Sequence, residues 1–257
     1  DGSCLVSLGT YIGGMVRGKE YNDTAVDYWS NLSAIPHEYL YETSVGIRRG
    51  MWSVSWFKEL LGEELEKKAE SLGISVEEIL EKEAKEVAPG SEGLITLGEF
   101  LAPNNMPYRK AMFIGFDGRH KRAHMYRSIL EAIAMTMKMS VDAMCKEMGM
   151  NPTQVIVSGG GSNSPLFMQI FADVFGIKSV RNVVNNAAGL GAAINAAVGV
   201  GAYPDYDTAM DKMVRIRDSF EPNLENTKIY DKVINYIYKD IKNYSDPVNK
   251  KIYEIFG

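Results

Sequence analysis

The sequence predicts an α/β domain that carries a helical insert, and three observations predict it. Short β-branched runs alternate with stretches of three-and-four apolar spacing, the pattern of strands and amphipathic helices. A hairpin opens the chain, with runs at 5–8 and 13–17 flanking Gly9-Thr10. Near the middle, Val155-Ile156-Val157 passes through Gly159, Gly160 and Gly161 into Ser164-Pro165-Leu166-Phe167, which reads as strand, glycine turn and helix. Ser164 is a natural N-cap, and Pro165 takes the first helical position, where a missing N–H costs nothing.

After the hairpin, residues 22–42 look irregular and aromatic-rich, and Tyr28, Trp29, Tyr39 and Tyr41 read as packing over the core rather than lining a cleft. A strand is expected within 41–47. Residues 51–61 place Trp52, Trp56, Phe57, Leu60 and Leu61 at helical spacing; Gly62 interrupts, and a charged helix follows over 63–72. Ser75-Val76-Glu77-Glu78 is a capping box that starts a third helix, to about 87. The solvated faces of these helices mark 51–88 as an insert on the outside of a core. Strands follow at 94–97 and 111–116, separated by a loop with two prolines and two asparagines at 102–108. The longest helix spans 120–148, with Tyr126, Ile129, Leu130, Ile133, Met137, Val141, Met144 and Met148 on its buried face. Beyond the glycine turn come a strand at 177–180 and a helix of small residues capped by Asn185 or Asn186. A helix over 203–217, a Pro222-Asn223 element, a tyrosine-rich helix to about 244 and a short extra helix over 245–257 complete the reading.

Composition narrows the partners. The 257 residues are 46% hydrophobic and 24% charged, an ordinary globular balance. Lys plus Arg number 28 and Asp plus Glu 33, and the net charge of −5 argues against nucleic acid or an anionic membrane as the main partner. Cys4 and Cys145 are far apart, outside any metal spacing, and read as reduced core thiols of a cytoplasmic protein. No apolar run is long enough to span a bilayer, and no signal-peptide pattern is visible. The chain opens at Asp1 and enters a strand within a few residues, which reads as a piece of a longer protein. His120 and His124 could share a helix face as a zinc pair does, but no Glu lies between them and no third ligand is evident, so no metal site is expected.

A glycine loop that opens onto a helix N-terminus suits a nucleotide. Three glycines alone are equally a tight turn, and the spacing is neither a Walker loop nor the dinucleotide fingerprint. The whole string, however, resembles the adenosine motif of the FGGY carbohydrate kinases. It comprises Gly159, Gly160, Gly161, Ser162, Ser164, Pro165, Leu166, Phe167, Gln169, Ile170, Ala172, Asp173, Val174 and Gly176. Val6-Ser7-Leu8-Gly9-Thr10 resembles the same family's second phosphate motif, departing from it at Tyr11-Ile12. Arg122-Ala123-His124 and Arg127–Ala134 resemble its long helix, with Ala132 in place of Gly, and Gly189-Leu190-Gly191-Ala192-Ala193 its helix behind the adenine. The family's Gly-Glu-Arg-like segment is not found near 102–108.

The resemblance, to the xylulokinase-like branch, implies an actin-like ATPase (ribonuclease H-like) domain over 1–257, the C-terminal, nucleotide-binding half of a sugar kinase. It implies ATP and Mg²⁺, with the γ-phosphoryl group passing to a sugar or polyol hydroxyl. The implied nucleotide contacts are Gly9, Thr10, Gly159, Gly160, Gly161 and Asn163. The family's catalytic Asp lies in a Gly-x-Asp motif just before the hairpin, so none is expected here; Asp1 reads as a loop residue, and Asp117, Asp173 and Asp211 as helix-start or surface residues. Implied partners are the sugar or polyol, an N-terminal domain of the same protein and a second copy in a homodimer. The alternative is a non-catalytic nucleotide-binding or interaction module on the same fold.

Overall fold

The computed structural model describes residues 2–257; Asp1 lies outside them. The first hairpin is β1 (Ser3–Leu8) and β2 (Ile12–Gly18), with Cys4, Val6 and Leu8 alternating into the core. β3 (Tyr28–Leu32) and β4 (Tyr39–Thr43) continue the sheet from β2. Three helices follow: α1 (Trp52–Leu61), α2 (Glu63–Leu72) and α3 (Val76–Lys85). A two-stranded sheet of β5 (Ile95–Leu97) and β6 (Met112–Ile114) leads to the long helix α4 (Arg122–Glu147). Then come β7 (Gln154–Ser158), α5 (Pro165–Phe175), β8 (Lys178–Asn182), α6 (Ala187–Gly199), α7 (Tyr206–Met213), β9 (Ile216–Phe220), α8 (Leu224–Val233) and α9 (Ile241–Phe256).

The main sheet has seven strands in the order β3-β4-β2-β1-β7-β8-β9. β1 pairs antiparallel with β2 and parallel with β7, and β7 pairs parallel with β8. Ser7 stands opposite Ser158, so β1 and β7 end level and their following turns lie side by side. In open sheets with parallel strands, ligands bind at the carboxyl ends of those strands.

α4 lies in the middle of the molecule. Every residue from Tyr126 to Met135 is buried, because α3, β5 and α5 all pack around this part of it. Burial there includes Arg127 and Glu131, which pair at 2.7 Å. Glu131 also accepts from the Tyr230 hydroxyl, the Ser91 hydroxyl and the Gly90 N–H, so one carboxylate ties α4 to α8 and to the turn after α3. Phe57, Leu65 and Leu80 from α1, α2 and α3 join the same hydrophobic cluster as the sheet residues, while the Glu-rich faces of α2 and α3 meet solvent.

Several expectations need correction. Residues 22–42 contain the strand β3, which faces solvent over most of its length and so shows no alternation. Tyr28 and Tyr41 pack as expected, with ring centroids 4.9 Å apart, but Trp29 is 63% exposed and lines a cavity. The helix expected over 203–217 stops at Met213, and β9 follows as a mostly exposed edge strand. No separate helix begins at 245: α9 runs continuously from Ile241 with Pro247 inside it. Of the two caps expected for α6, Asn186 serves, accepting from the Gly189 N–H at 2.9 Å.

His120 precedes α4 rather than sharing its face with His124. The Nδ1 atoms of the two rings accept from the N–H groups of Asp117 at 2.9 Å and Lys121 at 3.1 Å, so both histidines close the turn that enters the helix. Among the described residues no group of three or more His, Cys, Asp and Glu could hold a metal ion. Asp117 pairs with Arg119, whose hydrogen bonds hold its carboxyl down at about 2. Asp173 is neither a surface nor a helix-start residue; it is buried in the last turn of α5 and accepts from the Asn223 N–H and the Asn226 side chain. Cys4 and Cys145 are buried free thiols, and burial pushes the Cys4 thiol up to about 12. Among the described residues no helix is long and apolar enough to cross a membrane.

Candidate functional site

The turn after β1 and the turn after β7 form one shelf at the end of the sheet. The three glycines of the second turn differ in what holds them. Gly159 has φ +90°, and a Cβ there would lie 2.3 Å from the Leu8 carbonyl oxygen, so only glycine lets the two turns touch. A Cβ on Gly161 would lie 2.8 Å from Leu8 Cδ1 and 3.0 Å from Met51 Sδ. Gly160 is different. Its φ is not in the left-handed region, it is exposed, and a Cβ would meet nothing within 4 Å. The fold explains the outer two glycines and leaves the middle one unexplained.

The shelf is anchored from behind. The Gly159 N–H donates to the Asn185 carbonyl at 2.7 Å, and the Ser158 hydroxyl donates to the same oxygen at 3.1 Å. Asn185 Nδ2 donates to Asn163 Oδ1 at 3.0 Å, which fixes the exposed Asn163 side chain against the loop before α6. Arg181, buried on β8, donates to the carbonyls of Ser162 at 2.6 Å and Asn163 at 3.1 Å and pairs with Asp218 on β9. That pairing holds the Asp218 carboxyl below its ordinary range.

The hairpin turn is held through its main chain. The Gly50 N–H donates to the Thr10 carbonyl at 2.8 Å and the Met51 N–H to the Gly9 carbonyl at 3.1 Å. Ile12 and Ile47 exchange both backbone bonds, at 2.9 and 2.8 Å. Thr10 is exposed, with its side chain in no hydrogen bond to other described residues. Tyr11, where the resemblance departs, lies against Gly13 and Gly46: a Cβ on Gly46 would come within 2.3 Å of its hydroxyl. Partial burial, with Glu42 adding to it, raises the Tyr11 phenol.

The amino end of α5 offers no open seat for an anion. Its Leu166 N–H donates to Glu81 Oε1 at 2.8 Å, and the Phe167 N–H to Ser164 Oγ at 3.0 Å. A carboxylate of the chain already fills that position. Exposed donors remain at the hairpin instead. The shelf thus brings Gly9, Thr10, Gly159, Gly160, Gly161 and Asn163 to one end of the sheet. Sequence reasoning did not anticipate Arg181, Asn185 or the 47–51 loop, whose partners are distant in sequence.

A separate cavity of about 710 Å³ opens on the far side of Tyr11, between the 44–49 loop, β5, the 98–106 loop and the middle of α4.

Residues 4–200 match the sequence profile described as the FGGY family of carbohydrate kinases, C-terminal domain. The chain belongs to this family. It is 48% identical over 255 residues to an uncharacterized sugar kinase, YgcE, of Escherichia coli (strain K12), covering 99% of this chain and 52% of that protein. It is 29% identical over 258 residues to the xylulose kinase of Lactococcus lactis, covering 97% of this chain and 48% of that one. Among solved structures, xylulose kinase from Rhodospirillum rubrum superposes with a TM-score of 0.81 at 24% identity, covering 97% of this chain and 48% of that one. Plasmodium falciparum glycerol kinase with ADP gives 0.69 at 20% identity, over 99% and 47%. The fold of this FGGY chain is accordingly that of the actin-like ATPases, and the chain spans about half the length of the relatives it matches.

Proposed function

We propose that residues 1–257 form the C-terminal, nucleotide-binding domain of an ATP-dependent carbohydrate kinase, with 51–88 as its helical insert. The observation that carries this is Gly160, a glycine exposed on the shelf that neither φ nor packing requires. A bare backbone facing solvent between two structurally required glycines suits a flat ligand that must approach closely. In this reading the turn from Gly159 to Gly161 and the Asn163 side chain line the adenosine. The N–H groups of Gly9 and Thr10 and the Thr10 hydroxyl donate to the phosphates.

Mg²⁺ would arrive as the ATP complex, since it favours phosphate oxygens and water over all-protein cages. The ion would shield phosphate charge, while the work of these residues is to hold the nucleotide in place. Phosphoryl transfer depends mainly on such positioning. The carboxylate that accepts the hydroxyl proton is assigned to the half of the full-length protein that these residues do not span. The relatives' names support a sugar or polyol as acceptor, and their spread supports no single sugar.

Calorimetric titration with Mg-ATP tests the reading. Gly160→Val should fold normally and lower ATP affinity at least about tenfold, or ~1.4 kcal/mol. Gly159→Ala should instead destabilise the protein by about 2 kcal/mol or more, since it combines positive φ with a clash. Unchanged ATP affinity in a well-folded Gly160→Val protein would overturn the assignment.

A further inference from the structure

We infer that the cavity beyond Tyr11 seats the phosphoryl acceptor, and that this acceptor carries an oxyanion which Arg48 and Arg49 bind. The inference rests on the kinase reading for the word acceptor and on the cavity itself for the anion.

Size and place come first. About 710 Å³ is within the range of small-molecule sites. Tyr11, next to Thr10, forms part of its wall. The loop that carries Arg48 and Arg49 is bonded to the hairpin directly beyond them, through the N–H groups of Gly50 and Met51. A molecule in the cavity therefore meets both the residue next to Thr10 and two guanidinium groups.

Charge decides the class. Four cations line the cavity, Arg48, Arg49, Arg109 and Lys242, against one carboxylate, Glu99. Arg109 is neutralised by Asp246 at 2.7 Å and Lys242 by Glu99 at 2.8 Å. Arg48 donates only to uncharged oxygens, the Ala102 carbonyl at 2.7 Å and Asn104 Oδ1 at 2.9 Å. Arg49 has no ion-pair or hydrogen-bond partner among the described residues; its guanidinium stacks 4.6 Å above the Trp52 ring. Stacking uses the face of the guanidinium and leaves its N–H edge free, and that edge matches a carboxylate or phosphate with two parallel bonds. Two uncompensated positive charges in one cavity stand out in a protein of net charge −5.

The transfer balances with ATP as donor. The acceptor hydroxyl oxygen bonds the γ-phosphorus, and the bond from that phosphorus to the β–γ bridging oxygen breaks, its electron pair leaving with ADP. The hydroxyl proton passes to the general-base carboxylate assigned above and then to solvent.

The test uses the full-length protein and ATP consumption. D-Gluconate and D-glucitol 6-phosphate separate the two sources of oxyanion, and D-glucitol and D-xylulose are the neutral counterparts. One of the two anionic classes should be used at least about tenfold more efficiently than the neutral compounds. Arg49→Gln should raise the KM of that anionic acceptor at least about tenfold while the KM for ATP moves less than about twofold, and Arg49→Lys should recover part of the loss. Neutral acceptors preferred over both anions, with Arg49→Gln silent, would overturn the inference and leave the kinase reading standing. A matching rise in the KM for ATP would overturn it too, by placing the guanidinium on the nucleotide. If Mg-ATP does not bind, the kinase reading fails separately. Titration with gluconate and with D-glucitol 6-phosphate alone then decides: binding lost in Arg49→Gln retains the anion site, and no binding of either removes it.

Discussion

At the scale of single residues, the shelf separates two kinds of contact. Thr10 presents an exposed hydroxyl on the hairpin turn, and Gly160 presents bare backbone on the neighbouring turn. If the hydroxyl meets phosphate, Thr10→Val should weaken ATP about tenfold or more and leave adenosine binding almost unchanged, because one charge-assisted hydrogen bond contributes about 1.5–3 kcal/mol. Parallel titrations of the two ligands check this, and an equal drop in both would make the turn a structural element only. The glycine and threonine positions were legible in the sequence because a turn declares itself locally. Arg181 and Asn185 were not. They act on residues 163 and 162 or 158 and 159, and no local pattern encodes which carbonyl a distant side chain will reach. Arg49 was silent for the same reason, since an arginine in a loop reads as solvated until its neighbours are known.

Among the elements, the helices were the most readable and the edge strands the least. α1, α2, α3 and α5 begin and end close to where capping residues and glycines mark them, as with Ser75, Ser164, Gly73 and Gly176. β3 and β9 sit at opposite edges of the main sheet and lack the alternation that burial imposes. Two joints between elements carry predictions. Glu131→Ala should cost about 3–5 kcal/mol in urea unfolding, because it strands the buried Arg127 charge and frees the Tyr230 and Ser91 hydroxyls. α9 is docked to the 98–109 segment by Arg109 and Asp246, both largely shielded. The Arg109 hydrogen bonds hold the Asp246 carboxyl below its ordinary value. A depressed carboxylate stabilises fully above the unfolded value of about 4, and that stabilisation is lost as pH falls through the lower folded value. Acidification in that window should loosen α9, read by hydrogen exchange along the helix, and Asp246→Asn should loosen it already at neutral pH. A helix equally protected in both proteins would show that the pair contributes nothing to docking.

For the molecule as a whole, the family was readable from the sequence because each of its motifs lies within one contiguous stretch, whereas the order of the seven strands became visible only in the fold. The cavity was not readable either, since its walls come from six separate stretches of chain. In the proposed reading, the residues described supply one side of a nucleotide site. The 257-residue chain should therefore bind Mg-ATP weakly and phosphorylate none of a panel of pentoses, hexoses, ketoses and polyols, while the full-length protein should turn over at least one. Sugar-dependent ATP consumption by the shorter chain would show that a complete active site lies within it. One feature of the hairpin reaches beyond any single protein. Its hydrogen bonds to the neighbouring loop run between peptide groups, from Gly50 and Met51 to Thr10 and Gly9 and between Ile12 and Ile47. Side chains at 48 and 49 take no part in those hydrogen bonds; they reach instead to the 102–104 segment and to the Trp52 ring. On the proposed reading, descendants of such a chain would exchange one substrate for another by mutating two loop positions, with the hold on the phosphate inherited intact.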